Sequence, residues 1–270
     1  MSTGSAFLDR IIASKRHAMA SVTDDVRHST RSAAVEATRA RAAKHAFLAA
    51  LERTDRTNII AEVKRSSPSV GIIQQSADAV ATAKAYEDAG AAAISVLTEP
   101  EFFKGSLQDL RDVAGTITTP LLRKDFTVDR HQIYEAASAG ASAVLLIVAA
   151  LKPSELQELR LVAEQELGMD ALVEAHSGSE VEAALECGAT LIGVNNRNLQ
   201  TLQVSLETSR SLASYLVPGK VFISESGIKT PEDVSALKSI GYRGFLVGET
   251  LMRAADPSAA LRALAQGAGR

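Results

Sequence analysis

No tryptophan occurs in the 270-residue chain, and there is one cysteine, Cys187. A lone cysteine excludes an intrachain disulfide and a cysteine-rich metal site. It fits a reducing compartment, so a cytoplasmic location is expected. His17, His28, His45 and His131 show no zinc or iron ligand spacing, so no metal centre is expected. An excess of one charge is also missing. The net charge is −3 and the pI about 6.0. Neither nucleic acid nor an anionic membrane surface is therefore an expected partner. The longest apolar run, residues 143–151, is about nine residues, against the roughly 20 that span a bilayer. Asp9, Lys15 and Arg16 interrupt any secretory-type stretch at the N-terminus. The Ala-, Ser- and Arg-rich opening could pass for a transit peptide, but Asp9, Asp24, Asp25 and Glu36 argue against that. No G-x-G-x-x-G or Walker loop is found.

What is there is an ordinary globular composition, 46% hydrophobic and 23% charged. Two textures meet near residue 57. Before it, Phe7, Leu8, Ile11 and Ile12 recur at helical spacing, and residues 32–51 are dense in Ala, Arg and Glu. Residues 1–56 read as an N-terminal helical extension. The basic excess from Arg27 to Lys44 lacks interleaved aromatics, so a solvated helix face is expected there.

From 57 to 270 short β-rich runs alternate with helical stretches. The runs are 58–63, 92–97, 120–124, 143–148, 171–174, 191–194, 221–224 and 244–247. Helices are predicted near 77–89, 106–114, 129–139, 153–167, 178–187, 205–214, 230–240 and 256–265. Gly90, Gly140, Gly188 and Gly241 each stand between a helical stretch and the next strand, where a left-handed C′ residue ends a helix. Eight strand–helix units of about 26 residues match a (β/α)8 TIM barrel, an α/β fold, forming one catalytic domain. A doubly wound open sheet is the rival. It usually has fewer strands and a Gly-rich turn after the first strand, where this chain has Lys64, Arg65, Ser66, Ser67 and Pro68.

Alternate strand residues share a face. Ile60 is thus aligned with Glu62 and Lys64, Leu122 with Lys124, Leu172 with Glu174, and Ile223 with Glu225. In each set the charged residue lies nearer the C-terminal end of its strand. Barrel interiors stack side chains from alternate strands in layers of four. Glu62, Lys124, Glu174 and Glu225 are therefore expected to form one layer, with Lys64 a step above. An unpaired buried charge costs several kcal/mol even after relaxation, so such a layer points to acid–base work rather than stability. At least one carboxylate is expected to titrate high and the lysines to stay protonated.

Ser224-Glu-Ser-Gly227 and Val247-Gly-Glu249 each set a glycine just past a strand. Backbone N–H groups there suit a phosphate, since in barrels the loops after strands seven and eight often bind one. Residues 65–71 read as a lid over strand one, and Asn195, Asn196, Arg197 and Asn198 as a substrate-orienting loop after strand six. His176 is expected to support Glu174 by hydrogen bonding, and Cys187 to be a small helix residue beside Gly188.

The chain resembles the indole-3-glycerol-phosphate synthase family. The resemblance rests on Ala61-Glu-Val-Lys-Arg-Ser-Ser-Pro-Ser-Val-Gly71, Leu97-Thr-Glu-Pro-Glu-Phe-Phe-Lys-Gly-Ser106 and Leu122-Arg-Lys-Asp-Phe126 with Gln132-Ile-Tyr-Glu135. It continues through Val173-Glu-Ala-His176, Gly193-Val-Asn-Asn-Arg-Asn-Leu199 and Ser224-Glu-Ser-Gly-Ile228. A proline that often precedes the helix entered at Phe47 is absent, and residues 74–79 depart from the usual Asp-Pro stretch.

The resemblance implies a phosphorylated small-molecule substrate, 1-(2-carboxyphenylamino)-1-deoxyribulose 5-phosphate. It implies ring closure with loss of CO2 and water, without a metal or organic cofactor. It implies catalytic roles for Glu62, Lys64, Lys124, Glu174 and Asn195. Substrate contacts are implied for Ser67, Phe103, Phe126, Arg197, Leu199, Glu225 and Ser226, and phosphate contacts for Gly227, Gly248 and Glu249. Other tryptophan-pathway enzymes are conceivable partners. The rival readings are another phosphate-handling barrel, such as phosphoribosylanthranilate isomerase with its cysteine–aspartate pair, and a barrel that only binds a phosphorylated ligand.

Overall fold

The computed structural model describes residues 5–41 and 43–267. Residues 1–4, 42 and 268–270 belong to the extension and the barrel as read from sequence and lie outside the described residues. Three helices precede the barrel: α1 (Ser5–Ala20), α2 (Asp24–Arg39) and α3 (Ala46–Glu52). The Ala-, Arg- and Glu-rich stretch 32–51 is thus not one helix. His45, in the left-handed region at φ 53°, precedes α3 and redirects the chain.

Eight parallel strands follow: β1 (Asn58–Val63), β2 (Ala93–Leu97), β3 (Leu121–Lys124), β4 (Ala143–Ile147), β5 (Asp170–Ala175), β6 (Leu191–Asn195), β7 (Val221–Glu225) and β8 (Gly244–Val247). Each pairs with its sequence neighbours, and β8 returns to β1 with Leu246 opposite Ile60. Closure leaves no edge, which rules out the doubly wound sheet. Strand limits differ from the sequence expectation by no more than one residue.

The outer ring is α4 (Ala79–Asp88), α5 (Leu107–Ala114), α6 (Arg130–Ser138), α7 (Pro153–Leu161), α8 (Gly178–Glu186), α9 (Glu207–Ser211), α10 (Pro231–Ser239) and α12 (Pro257–Gln266), with a short α11 (Glu249–Met252) directly after β8. Side-chain caps start most of them: Asp78, Ser106, Asp129, Ser177, Thr230 and Asp256 each accept a first-turn backbone N–H. The glycines expected to end helices, Gly90, Gly140, Gly188 and Gly241, have φ of 90°, 91°, 85° and 109°. The stretch expected to run to 167 leaves α-geometry after Leu161 and continues as a π-helical segment, Val162–Glu166.

Parity falls as the alternation demands. Ile60, Leu122, Leu172 and Ile223 all lie in the cluster that fills the barrel interior. Ile59, Ala61, Val173 and Phe222 face the helices in the larger cluster. Phe47 and Leu51 of α3 join the interior cluster and are fully buried. α3 therefore plugs the N-terminal end of the barrel, tied by Leu48 N donating to Asp170 Oδ2 at 2.9 Å and by His45 Nδ1 at 2.9 Å from Asp170 Oδ1. Each buried aromatic or leucine side chain contributes about 1.5–3 kcal/mol.

α1 goes to the other end. Its Lys15 donates to Asp125 Oδ1, just past β3, at 2.7 Å. The extension thus covers both ends of the barrel, a choice the sequence left open. Between them α2 lies along α6. Arg27 pairs with Asp129 at 2.9 Å, Arg31 with Glu166 at 2.8 Å, and Arg41 donates to the Ala137 carbonyl at 3.0 Å. The basic excess is therefore not merely a solvated face. Several of its arginines fasten α2 to the barrel, a partnership invisible from α2 alone.

Candidate active site

The C-terminal mouth of the barrel opens into a cavity of about 790 Å³. On its floor Glu62, Glu174 and Glu225 are each no more than 3% exposed. The strands bring them together because β1, β3, β5 and β7 turn the same parity inward. Lys124 Nζ donates to Glu174 Oε2 at 2.9 Å and lies 3.5 Å from Glu225 Oε2. Lys64 Nζ, one step higher and just past the end of β1, meets Glu62 Oε1 at 2.7 Å, and Ser95 Oγ faces Glu62 Oε2 at 3.4 Å.

Space at this level is tight enough to demand glycine. A Cβ on Gly193 would sit 2.0 Å from Glu225 Oε1, and one on Gly248 would sit 2.4 Å from Glu62 Oε1. Glu225 and Glu62 fit beside the other charged groups of the floor because Gly193 in β6 and Gly248 just past β8 have no side chain.

Electrostatics separate groups of identical chemistry. Burial alone would lower the Lys124 ammonium. The carboxylates of Glu174, Glu225 and Glu62 outweigh it and raise Lys124 above its ordinary value. Burial likewise opposes ionisation of Glu174, but Lys124 and His176 override it and hold Glu174 well below the usual carboxylate range. Glu225 goes the other way. Burial, reinforced by Glu174 and Glu62, exceeds the help from Lys124 and pushes it up to about 8. Neither of its oxygens has a hydrogen-bond partner, which fits a proton-bearing carboxyl. The layer expected from sequence thus exists, and one carboxylate titrates high within it.

The remaining residues singled out from sequence line the same cavity: Ser67, Phe103, Phe126, Asn195, Arg197, Leu199, Ser226, Gly227, Gly248 and Glu249. Phe103 and Phe126 are tilted aromatic neighbours with centroids 6.3 Å apart. The loop after β6 divides its labour. Asn195 and Arg197 face the cavity, with Asn195 Oδ1 accepting from Arg197 N at 3.0 Å. Asn196 instead points into the protein, donating to Ser224 Oγ and to the Ser226 carbonyl, both at 3.0 Å. Asn198 accepts from Gln200 N and Thr201 N, closing a turn. After β7, Ser226 and Gly227 have positive φ of 69° and 81°, turning the backbone toward the mouth. Cys187 ends α8 in the outer layer, its Sγ 3.1 Å from the Ala184 carbonyl, remote from any acid–base role in the cavity.

Sequence reasoning passed over several participants. Phe7 of α1 lines the cavity and stacks edge-on against Phe102 at 5.0 Å. Its helical spacing was legible, but not the end of the barrel it would reach. Glu99 is buried, and its carboxylate accepts the backbone N–H groups of Glu101, Phe102 and Phe103 at 2.9, 2.7 and 3.1 Å. That turn aims Phe103. In the loop after β1, Ser66–Ser67 pairs antiparallel with Gly71–Ile72. Arg65 anchors the loop through Asp109 at 2.7 and 2.8 Å, and Arg197 Nη1 donates to Ser69 Oγ at 2.6 Å across the mouth. His176, by contrast, was singled out in the sequence beside Glu174, and its ring nitrogens lie 3.4 Å from Glu174 and 3.1 Å from Glu180.

Among the described residues, no group of three or more His, Cys, Asp or Glu side chains is placed to hold a metal ion, and no helix is long and apolar enough to cross a membrane. The arrangement can protonate one atom of a ligand, stabilise a cation and remove a proton, beside loops whose backbone can meet an anion.

The family model described as indole-3-glycerol phosphate synthase matches residues 8–264. Indole-3-glycerol phosphate synthase of Ruminiclostridium cellulolyticum is 52% identical over 206 residues, 76% of this chain and 78% of that one. The protein of the same name from Polynucleobacter asymbioticus is 45% identical over 221 residues, 81% and 82% of the two chains. Among solved structures, KGPDC from Streptococcus mutans matches with a TM-score of 0.60 at 14% identity, covering 77% of this chain and 95% of that chain. At that identity the likeness is one of fold alone. A charged layer of this make-up and matches of this extent lead to one conclusion: the chain belongs to the indole-3-glycerol-phosphate synthase family.

Proposed function

We propose that this chain converts 1-(2-carboxyphenylamino)-1-deoxyribulose 5-phosphate to indole-3-glycerol phosphate, a step of tryptophan synthesis. The observation that carries the reading is the Lys124 ammonium, held between Glu174 and Glu225 at the floor of the cavity. Lys124 protonates the substrate ketone as the aromatic carbon bearing the carboxylate attacks it. The new C–C bond leaves an iminium cation next to that carboxylate, so CO2 departs without an external electron sink. Glu62 and Glu174 stabilise the cation electrostatically. Dehydration then removes a proton from the ring CH2 and expels the hydroxyl as water, with Glu174 as base and Lys64 as acid.

Asn195 and Arg197 orient the anthranilate portion, which Phe103, Phe126 and Leu199 enclose. Glu225 and Ser226 hold the sugar hydroxyls. Ser67 and the backbone at Gly227, Gly248 and Glu249 hold the phosphate, with Lys64 nearby. In this reading residues 1–56 form a helical extension that covers the barrel ends, and residues 57–270 form the catalytic domain. It also entails a cytoplasmic location, where a free thiol such as the buried Cys187 stays reduced, and other tryptophan-pathway enzymes as candidate partners. Indole fluorescence developing when the purified chain meets the carboxyphenylamino substrate tests the reading. Absence of the product under single-turnover conditions would overturn it.

A further inference from the structure

Glu174 and Glu225 are the same side chain, equally enclosed, facing the same ammonium at 2.9 and 3.5 Å. Two carboxylates sharing one cation cannot both ionise cheaply. They differ in what stands behind them. Glu225 has no hydrogen-bond donor at either oxygen. Glu174 turns Oε2 to Lys124 and Oε1 to His176, whose Nε2 lies 3.4 Å away, buried and with no other partner. On its far side the ring is held by α8: His176 Nδ1 is 3.1 Å from Glu180 Oε2, which also accepts the His176 backbone N–H at 2.9 Å. Glu180 is 24% exposed. A row of alternating sign thus runs from the cavity floor toward the surface: Lys124, Glu174, His176, Glu180.

We propose that His176 is a positioning residue that decides which of the two carboxylates acts as the base: clamped by Glu180, it sets a second positive charge against Glu174 and leaves Glu225 with none. The proposal rests on the reading of the reaction given above. His176 does not line the cavity, so it acts through Glu174 rather than on the substrate. The charged groups that meet the ring are Glu174 of β5, the strand just before it, and Glu180 of α8, with Lys124 of β3 beyond Glu174. Burial alone would strip the imidazolium of its proton. The two carboxylates outweigh burial and raise it to about 9, so the ring is cationic throughout the neutral range.

The test is the pH profile of kcat for the full chain and for His176→Gln, which keeps a donor near Glu174 but no charge. Expected are a KM within a few-fold of wild type and a kcat that falls on the acidic side of the profile. The acid limb should move up by about one to three pH units, the effect of losing an adjacent opposite charge. A loss of kcat that is equal at every pH overturns the proposal, as does an unmoved limb. Glu180→Gln leaves the ring in place and loosens its hold, so the acid limb should stay where it is in wild type while the titration of His176 moves down. Should His176→Gln not fold, NMR titration of histidine Cε1 in wild type and Glu180→Gln decides instead. The histidine whose titration drops in the variant must titrate well above 6.5 in the wild type, and a value near 6.5 overturns the proposal. A wild-type chain that makes no indole product sinks the reading of the reaction, and the NMR titration still decides whether the charge row exists.

Discussion

Lys124 Nζ lies 2.9 Å from Glu174 Oε2, so the candidate acid and the candidate base of the reaction are hydrogen-bonded to each other. Replacing Lys124 by Met keeps the length of the side chain and removes its proton. General acid catalysis contributes about 100- to 10,000-fold, and kcat should fall within that range while substrate still binds in calorimetric titration. A kcat within a few-fold of wild type would show that Lys124 is not the acid.

Glu225 makes stability depend on pH. Its carboxyl is raised from 4.5 to about 8 in the folded chain, so between those values the folded state keeps a proton that the unfolded state has lost. Its contribution is complete below 4.5 and is lost as pH rises through about 8. His176, raised from 6.5 to about 9, adds the same sign but only above 6.5. The difference in Tm between wild type and Glu225→Gln should therefore drift against wild type from pH 5 upward. Parallel Tm curves for the two would contradict a proton on Glu225.

Phe7 should matter to affinity rather than to chemistry. It lines the cavity from α1 and packs on Phe102, away from the charged floor. Losing about 1.4 kcal/mol of apolar contact corresponds to tenfold. Phe7→Ala should thus raise KM about tenfold with kcat little changed, measured by steady-state kinetics. An unchanged KM would mean that α1 does not touch the substrate.

A methyl group at position 193 has nowhere to go. It would stand 2.0 Å from Glu225 Oε1 and 3.2 Å from Leu172 Cδ1, both buried. Overpacking of this kind costs about 1–3 kcal/mol. Gly193→Ala should unfold at lower urea concentration and lose activity. An equally stable, fully active variant would mean that the floor of the barrel is looser than its geometry.

The acid–base groups described are all side chains of the chain itself, so activity should survive exhaustive chelation. An enzyme silenced by chelator and restored by added metal would contradict the mechanism.

Much of this was readable from local pattern. Ile60 with Glu62, and Leu122 with Lys124, announced which face turned inward, because strand alternation is fixed within a few residues of backbone. The glycine after each of four helices marked the repeat for the same reason. The loop after strand six was readable only in part: Asn195 and Arg197 reach the cavity, but Asn196 turns away to bind Ser224 and Ser226. Phe7 gave its helix away but not its destination, since the end of the barrel it covers depends on Lys15 meeting Asp125, 110 positions later.

Sequence alone determined the class of fold and the identity of the ionisable groups at its mouth, because backbone periodicity and residue chemistry are local properties. Tertiary structure decided that Glu174 is pulled down and Glu225 pushed up from the ordinary carboxylate value, and that the extension caps both ends of the barrel. A side chain's protonation is a sum over burial and every charge brought near it, and only closure of the barrel set Lys124, His176, Glu174 and Glu225 at the distances that make the sum.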